Sequence, residues 1–149
     1  MPVQFELVTP EKLLVSRDVD MVVVPGTEGN FGVLPGHAPL ISTIRPGTID
    51  IYEGRTTIIE RIFVAGGIAE VTPERCTVLA DEAMPPEDLN RTQLEAELQT
   101  IDGEMPMLRE QIGRVSGTDR EQLSTELRQL ERQYAITNAK LRVLREIGG

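Results

Sequence analysis

The chain has 149 residues, 40% apolar but only 3% aromatic, and its 15 basic and 24 acidic side chains leave a formal net charge of −9. That length suits one ordinary domain or two small ones around an aliphatic core, while the acidity and the scarcity of rings exclude a general nucleic-acid binder, which needs a basic face and stacking platforms. A single Cys and a single His exclude an intramolecular disulfide and a conventional zinc site, and the longest uncharged stretch, 29–44, is too short to span a bilayer.

No basic-then-apolar leader follows Met1-Pro2-Val3, so a soluble chain is expected, with any membrane link running through a partner. Proline placement divides the chain in two. Nine of the ten prolines lie at or before Pro86 and only Pro106 follows. Proline suits turns and strand edges and interrupts helix interiors, so residues 1–86 read as β structure and 87–149 as helix. Val3-Gln4-Phe5-Glu6-Leu7 alternates apolar and polar, as a strand with one buried face does. A second strand enters through residues 18–21 into Val22-Val23-Val24 and closes at Pro25-Gly26. Further strands are predicted at 39–44, 48–52, 56–64, 68–71 and 76–80, separated by Pro35-Gly36, Pro46-Gly47, Glu53-Gly54 and Thr72-Pro73. Short strands between frequent Gly/Pro turns predict a β-sandwich, a flattened barrel of mostly antiparallel strands.

After Pro85-Pro86 the period changes. Apolar residues fall at Leu94, Leu98, Ile101, Met105, Leu108, Ile112 and Val115, and a second series runs through Leu123, Leu127, Leu130, Tyr134, Thr137, Leu141 and Leu144. Spacings alternate between four and three, one stripe down each of two helices. Gly117 is expected to end the first in a left-handed conformation, and Thr118-Asp119-Arg120-Glu121 matches a capping box opening the second. The short connection predicts an antiparallel helical hairpin. Gly103 and Pro106 interrupt the first helix, but the stripe keeps phase across them, which predicts a kink rather than a break. A hairpin with one seam is marginal alone. It is therefore expected to dock on the β domain or on another protein, and to be able to change between such dockings.

Few residues suggest chemistry. Gly26-Thr27-Glu28-Gly29-Asn30-Phe31-Gly32 spaces glycines like a phosphate loop, but no Gly-Lys-Ser/Thr follows and Glu28 would repel a phosphate, so it reads as a turn in the β domain. Cys76, in Cys76-Thr77-Val78-Leu79-Ala80, reads as a small buried hydrophobe. His37 lies in the turn after Pro35-Gly36; a Cys76/His37 dyad stays open, without any nucleophile-turn or oxyanion-hole signal. Asp81-Glu82 are adjacent acids that need not share a site. The last helix is more informative: from Arg128 to Arg145 five basic residues stand against Glu131 alone, a local charge of +4. At 100° per residue, Arg128, Arg132 and Arg142 share an arc of about 80° opposite the leucine stripe. This is either a solvated face with favourable charge near a helix C-terminus or a basic stripe that docks an acidic partner.

The block Pro25-Gly26-Thr27-Glu28-Gly29-Asn30-Phe31-Gly32-Val33-Leu34-Pro35-Gly36-His37-Ala38-Pro39-Leu40, followed by Arg45-Pro46-Gly47, resembles the signature of the epsilon subunit of F-type rotary ATP synthases. Val64-Ala65-Gly66-Gly67-Ile68-Ala69-Glu70-Val71 and Val78-Leu79-Ala80-Asp81-Glu82-Ala83 resemble later strands of the same family. The resemblance implies a non-catalytic central-stalk subunit that couples rotor rotation to ATP synthesis. It implies a sandwich, 1–86, attached to the gamma subunit and the membrane rotor ring of c subunits, and a regulatory hairpin, 87–149. That hairpin would lie folded or extend toward the alpha and beta catalytic subunits and restrain hydrolysis. Phe31, Leu34 and His37 in the block, and Arg128, Arg132 and Arg142 on the last helix, are the expected partner-binding residues. Location at an energy-transducing membrane follows, with the cytoplasmic face of a bacterial inner membrane favoured and no direct insertion.

One departure matters. Family members that bind ATP in the hairpin carry Ile/Leu-Asp-x-x-Arg-Ala at the start of the first helix, where this chain reads Leu89-Asn90-Arg91-Thr92-Gln93-Leu94. The acid has become Asn90 and the arginine Gln93, so no ATP or other cofactor is expected. The region around Gly103 and Pro106 also departs from the alanine-rich first helix common in the family. Two other functions fit the residues: a β-sandwich adaptor that self-associates through its helices, and a small thiol hydrolase using Cys76 and His37.

Overall fold

The structure is a computed structural model that describes residues 1–148. It divides into two compact units, Met1–Asp88 and the residues from Leu89 onward. The described residues form ten strands: β1 (Val3–Val8), β2 (Leu13–Val19), β3 (Met21–Gly26), β4 (Gly29–Val33), β5 (Leu40–Ile44), β6 (Gly47–Glu53), β7 (Thr57–Val64), β8 (Gly67–Val71), β9 (Arg75–Ala80) and β10 (Ala83–Met84). A 3-10 turn at Pro86–Asp88 closes the first unit, and the second holds α1 (Arg91–Ile112) and α2 (Gly117–Glu146).

Along the sheet the order is β10-β7-β6-β3-β5-β8-β9-β1-β2, with β4 joining β3 off this path. Neighbours are antiparallel except β1 and β9, which pair in parallel from Gln4↔Arg75 to Val8↔Leu79. The sheet curls until Arg17 on β2 reaches Glu60 on β7 at 3.1 Å. This is the expected flattened barrel of mostly antiparallel strands, followed by two helices. Alternate residues face inward, as the two-residue period of a strand requires. Val3, Phe5 and Leu7 of β1, Val22 and Val24 of β3, Ile49 and Ile51 of β6, and Cys76 and Val78 of β9 are all fully buried in one cluster.

Three strands escaped the sequence pattern. Strand β2 is mostly exposed along its length, so it carries little alternation; pairing with β1 from Val3↔Val19 to Val8↔Leu13 holds it in place. Strand β4, Gly29-Asn30-Phe31-Gly32-Val33, has poor strand propensity, yet it pairs back on β3 across the two-residue turn Thr27-Glu28. Strand β10 is two residues long. The strand expected to enter from residue 18 begins instead at Met21, because Asp20 turns the chain and its carboxylate accepts the Gly54 N–H at 2.7 Å.

The helices form the expected pair of seams. Leu94, Ile101 and Leu108 of α1 and Thr137, Leu141 and Leu144 of α2 are buried, and the remaining stripe residues are half-buried. Leu94, Leu141 and Leu144 make one cluster, the open end of an antiparallel hairpin. Helix α1 runs unbroken through Gly103 and Pro106. The connection differs from expectation. Helix α1 stops at Ile112, with Gly113 as its C-cap in a right-handed conformation, φ −68°. The left-handed glycine, Gly117 at φ +65°, opens α2 rather than closing α1. Ser116 holds the N-cap position, so Thr118 falls inside the first turn and the capping box does not form there.

The tightest backbone contact in the sheet is at Gly67. Its φ is +142°, and a Cβ there would stand 2.1 Å from the Leu79 carbonyl oxygen across the β8–β9 ladder. Gly67→Ala is expected to destabilise the sandwich by about 3 kcal/mol or more, since both strain and overlap must be relieved. Gly54→Ala, in a left-handed turn with open space around it, should cost only about 1 kcal/mol. Denaturant titration of both variants checks the difference.

Candidate functional site

Two separate surfaces carry the predicted residues. The first is the end of the sandwich where β3 turns into β4. Gly26 accepts the face of Phe31: a Cβ on Gly26 would lie 2.9 Å from Phe31 Cε1 and 2.8 Å from the Gly29 carbonyl. Phe31 is half-buried and packs on the core cluster. Its ring is therefore committed mainly to the fold, and what it offers outward is an edge of apolar surface.

Arg45 fastens this turn. Its backbone N–H donates to the Pro25 carbonyl at 2.9 Å, its Nη1 to the Gly26 carbonyl at 2.5 Å and its Nη2 to Asn30 Oδ1 at 2.5 Å. A second tie comes from β5: Thr27 N–H donates to the Thr43 carbonyl at 3.1 Å, and the two threonine hydroxyls meet at 2.7 Å. The guanidinium thus satisfies two neutral oxygens on either side of the turn and presents Glu28 at its exposed tip. Spacing could not have shown this, because Arg45 lies 19 residues from Gly26 and 15 from Asn30.

Leu34 and His37 follow on the loop between β4 and β5, both half-buried. The loop is pinned by His37 N–H to the Leu34 carbonyl at 3.1 Å, and by Gly36 N–H, at φ +82°, to the Pro73 carbonyl at 2.8 Å. His37 Nδ1 sits 2.7 Å from the Ala38 carbonyl oxygen. A carbonyl only accepts, so Nδ1 is the donor in this contact. Cys76, by contrast, is fully buried in β9, and burial pushes its thiol from an ordinary 9.0 up to about 12. At neutral pH it is a protonated core side chain rather than a nucleophile. Asp81 and Glu82 are exposed between β9 and β10.

The second surface is the outer face of α2. Arg128, Arg132 and Arg142 are all exposed there, on the opposite side from the half-buried Leu123, Leu127 and Leu130 and the buried Leu141 and Leu144. Arg128 Nη2 donates to Thr125 Oγ1 at 3.1 Å, one turn back. Among the described residues, ion pairs engage Arg17, Arg61, Arg75 and Arg114 and leave Arg128 and Arg142 without a carboxylate. At the start of the hairpin Asn90 is the N-cap of α1, its Oδ1 accepting the Gln93 N–H at 3.0 Å.

A further surface was missed by the sequence reading. On the outer side of four adjacent strands, Ile68 pairs with Leu79, Leu79 with Val8, and Val8 with Leu13. Ile68, Leu79 and Leu13 are about half exposed, at 47%, 54% and 54%. An apolar row crossing strands at this exposure suits a lasting protein contact. The hint in sequence was the outward phase of Leu79 between Val78 and Ala80, visible once the register is known. Among the described residues no cluster of three or more potential metal ligands occurs, and no helix is long and apolar enough to cross a membrane.

Residues 2–86 match the family described as ATP synthase, Delta/Epsilon chain, beta-sandwich domain. The chain belongs to the ATP synthase delta/epsilon family. It is 52% identical to an ATP synthase epsilon chain of Rhodospirillum centenum over 93% of its own length and 88% of that relative. An ATP synthase epsilon chain of Rhodospirillum rubrum is 59% identical over 66% of this chain and 73% of the relative. A chain of the Euglena gracilis mitochondrial ATP synthase OSCP/F1/c-ring assembly superposes with a TM-score of 0.73 at 18% identity, covering 96% of this chain and 81% of that one.

Two outcomes follow from this geometry. Arg45→Ala removes both side-chain bonds across the β3–β4 turn and should cost about 1–3 kcal/mol, with amide exchange speeding up at residues 27–30 ahead of the rest of the sheet. Cys76 should be inert to thiol reagents in the folded chain and react fully in denaturant. Because its folded pKa is the raised one, the unfolded chain ionises first as pH climbs. Stability from this group is therefore intact below pH 9 and falls as pH rises toward 12, which denaturation at pH 8 and pH 10 would read.

Proposed function

We propose that this chain is a non-catalytic subunit of the central stalk of a proton-translocating F-type ATP synthase, with no active site of its own. Its sandwich, 1–86, attaches to the gamma subunit and to the c subunits of the rotor ring, and its hairpin, 87–149, reaches the alpha and beta catalytic subunits and restrains ATP hydrolysis. The family supports the stalk role, and the two exposed features of the sandwich support attachment. These are the clamped turn with Phe31, Leu34 and His37 close by in sequence, and the apolar row Leu13–Val8–Leu79–Ile68. The buried thiol of Cys76 favours this reading over a thiol hydrolase. The chain would sit peripherally, at the cytoplasmic face of a bacterial inner membrane.

The observation that carries the inhibitory part is the basic face of α2. Among the described residues Arg128 and Arg142 are exposed on the helix and form no ion pair, so their charge is available to an acidic partner surface. Arg132 extends the same stripe. If each arginine contributes about 0.5 kcal/mol to docking, the three together shift the docked population about ten-fold. Replacing Arg128, Arg132 and Arg142 with Ala in the full chain, assembled in the ATP synthase, should raise ATP hydrolysis while proton-driven synthesis persists. Unchanged hydrolysis would sink the inhibitory assignment and leave the attachment role standing.

A further inference from the structure

Helix α1 contains two residues that its packing does not require. Gly103 is helical and exposed, and a Cβ placed on it would meet nothing within 4 Å. No close approach to a neighbour accounts for a glycine there. One turn on, Pro106 has no N–H, so the carbonyl of Asp102 loses its helical partner, and the ring crowds that carbonyl. Glycine and proline are the two residues least favoured inside a helix. Here both fall within one turn, between the buried seam residues Ile101 and Leu108.

Burial along the hairpin thins beyond this turn, with Leu98 and Tyr134 half-buried on the near side and Leu108 buried on the far side. On the N-terminal side of this turn, Leu94 and Ile101 are buried, and Leu94 clusters with Leu141 and Leu144. The buried seam residues of α2 are Thr137, Leu141 and Leu144, all at this end. Toward the connection, Leu123, Leu127 and Leu130 of α2 and Ile112 of α1 are only half-buried, and Leu108 stands as the last buried seam residue of α1. The connection itself adds little: Ser116 makes no side-chain cap bond. Weak backbone and thin burial thus coincide.

We infer that the hairpin is built as two blocks joined by a hinge at Gly103–Pro106. The base pairs residues 91–101 with 134–144, and the tip pairs 104–112 with 117–130. The tip opens and reorients while the base stays paired, because helical cooperativity is interrupted where the glycine and proline stand. The hinge bears on the basic stripe: Arg142 belongs to the base and Arg128 to the tip, so bending changes the distance and direction between their charges. The hinge itself does not rest on the inhibitory role and is testable in the isolated chain.

Hydrogen exchange on the full-length chain reads it directly. Amides of 104–112 and 117–130 should exchange at least about ten-fold faster than those of 91–101 and 134–144. The double variant Gly103→Ala, Pro106→Ala should slow the tip about ten-fold or more and leave the base unchanged. Leu108→Ala should speed exchange in the tip alone. Equal exchange in both blocks of the natural chain would overturn the hinge. So would a double variant that slows base and tip together, or a Leu108→Ala variant that opens the whole hairpin, since each shows a single cooperative unit.

Discussion

The parallel pairing of β1 with β9 is the contact on which the sandwich depends. It joins residues 4–8 to residues 75–79 across most of the domain, whereas β1–β2, β3–β4, β6–β7 and β8–β9 are local antiparallel turn-backs. Without it, β1 and β2 would be a detached ribbon, because β2 bonds to the sheet only through β1. With it, Val3, Phe5 and Leu7 enter the core as a fully buried set, and β2 is carried round to meet β7. Such long-range closure is slow to form, since loop entropy is lost before any burial compensates. The aliphatic composition suits it: many small branched side chains fill a curved interior in which few rings would fit.

The same closure sets the outer surface. Because residues one apart face opposite sides of a strand, burying Leu7 and Val78 turns Val8 and Leu79 outward. The apolar row from Leu13 to Ile68 is thus the obligatory reverse of the core register, retained as hydrophobic at positions where polar residues would serve a free-standing domain. At the end of the barrel the constraint is different. A glycine at position 26 lets Phe31 lie over the chain, and Arg45 gathers the carbonyls that this close approach would otherwise leave poorly paired. Rigidity of the turn and exposure of Glu28 arise from one device.

The hairpin follows other rules. Its two stripes provide a continuous seam that is most deeply buried toward its open end, and the face of α2 away from the seam carries the exposed Arg128, Arg132 and Arg142 beside the buried Ile136, Ala139 and Val143. A helix pair of this kind has little surplus stability. That makes it suited to changing partners, and charges on a stiff helix are a means of selecting them. This chain combines two parts in one sequence: a closed β domain with an exposed apolar row, and a helical pair with little surplus stability.

Much of this was legible in the residues. Proline positions and the change of period separated β from helix, the four-three spacing named the seam residues Leu94, Ile101, Leu108, Thr137, Leu141 and Leu144 but missed Leu89 and the buried Ile136, Ala139 and Val143, and Cys76 read as a core side chain because its neighbours alternate around it. Arg128, Arg132 and Arg142 could be placed on one outer face from the helical repeat alone. These are local properties, determined by backbone periodicity within a few residues. The tertiary structure decided the rest. Strands β2 and β4 exist because β1 and β3 supply hydrogen-bonding edges, not because their own residues favour extension. Arg45 became a clamp, Gly67 a contact point and Leu79 part of an exposed row only when residues far apart in sequence were brought into register. Side-chain period is local, but strand pairing is a long-range choice, and its partners are not encoded in any window of the chain short enough to read.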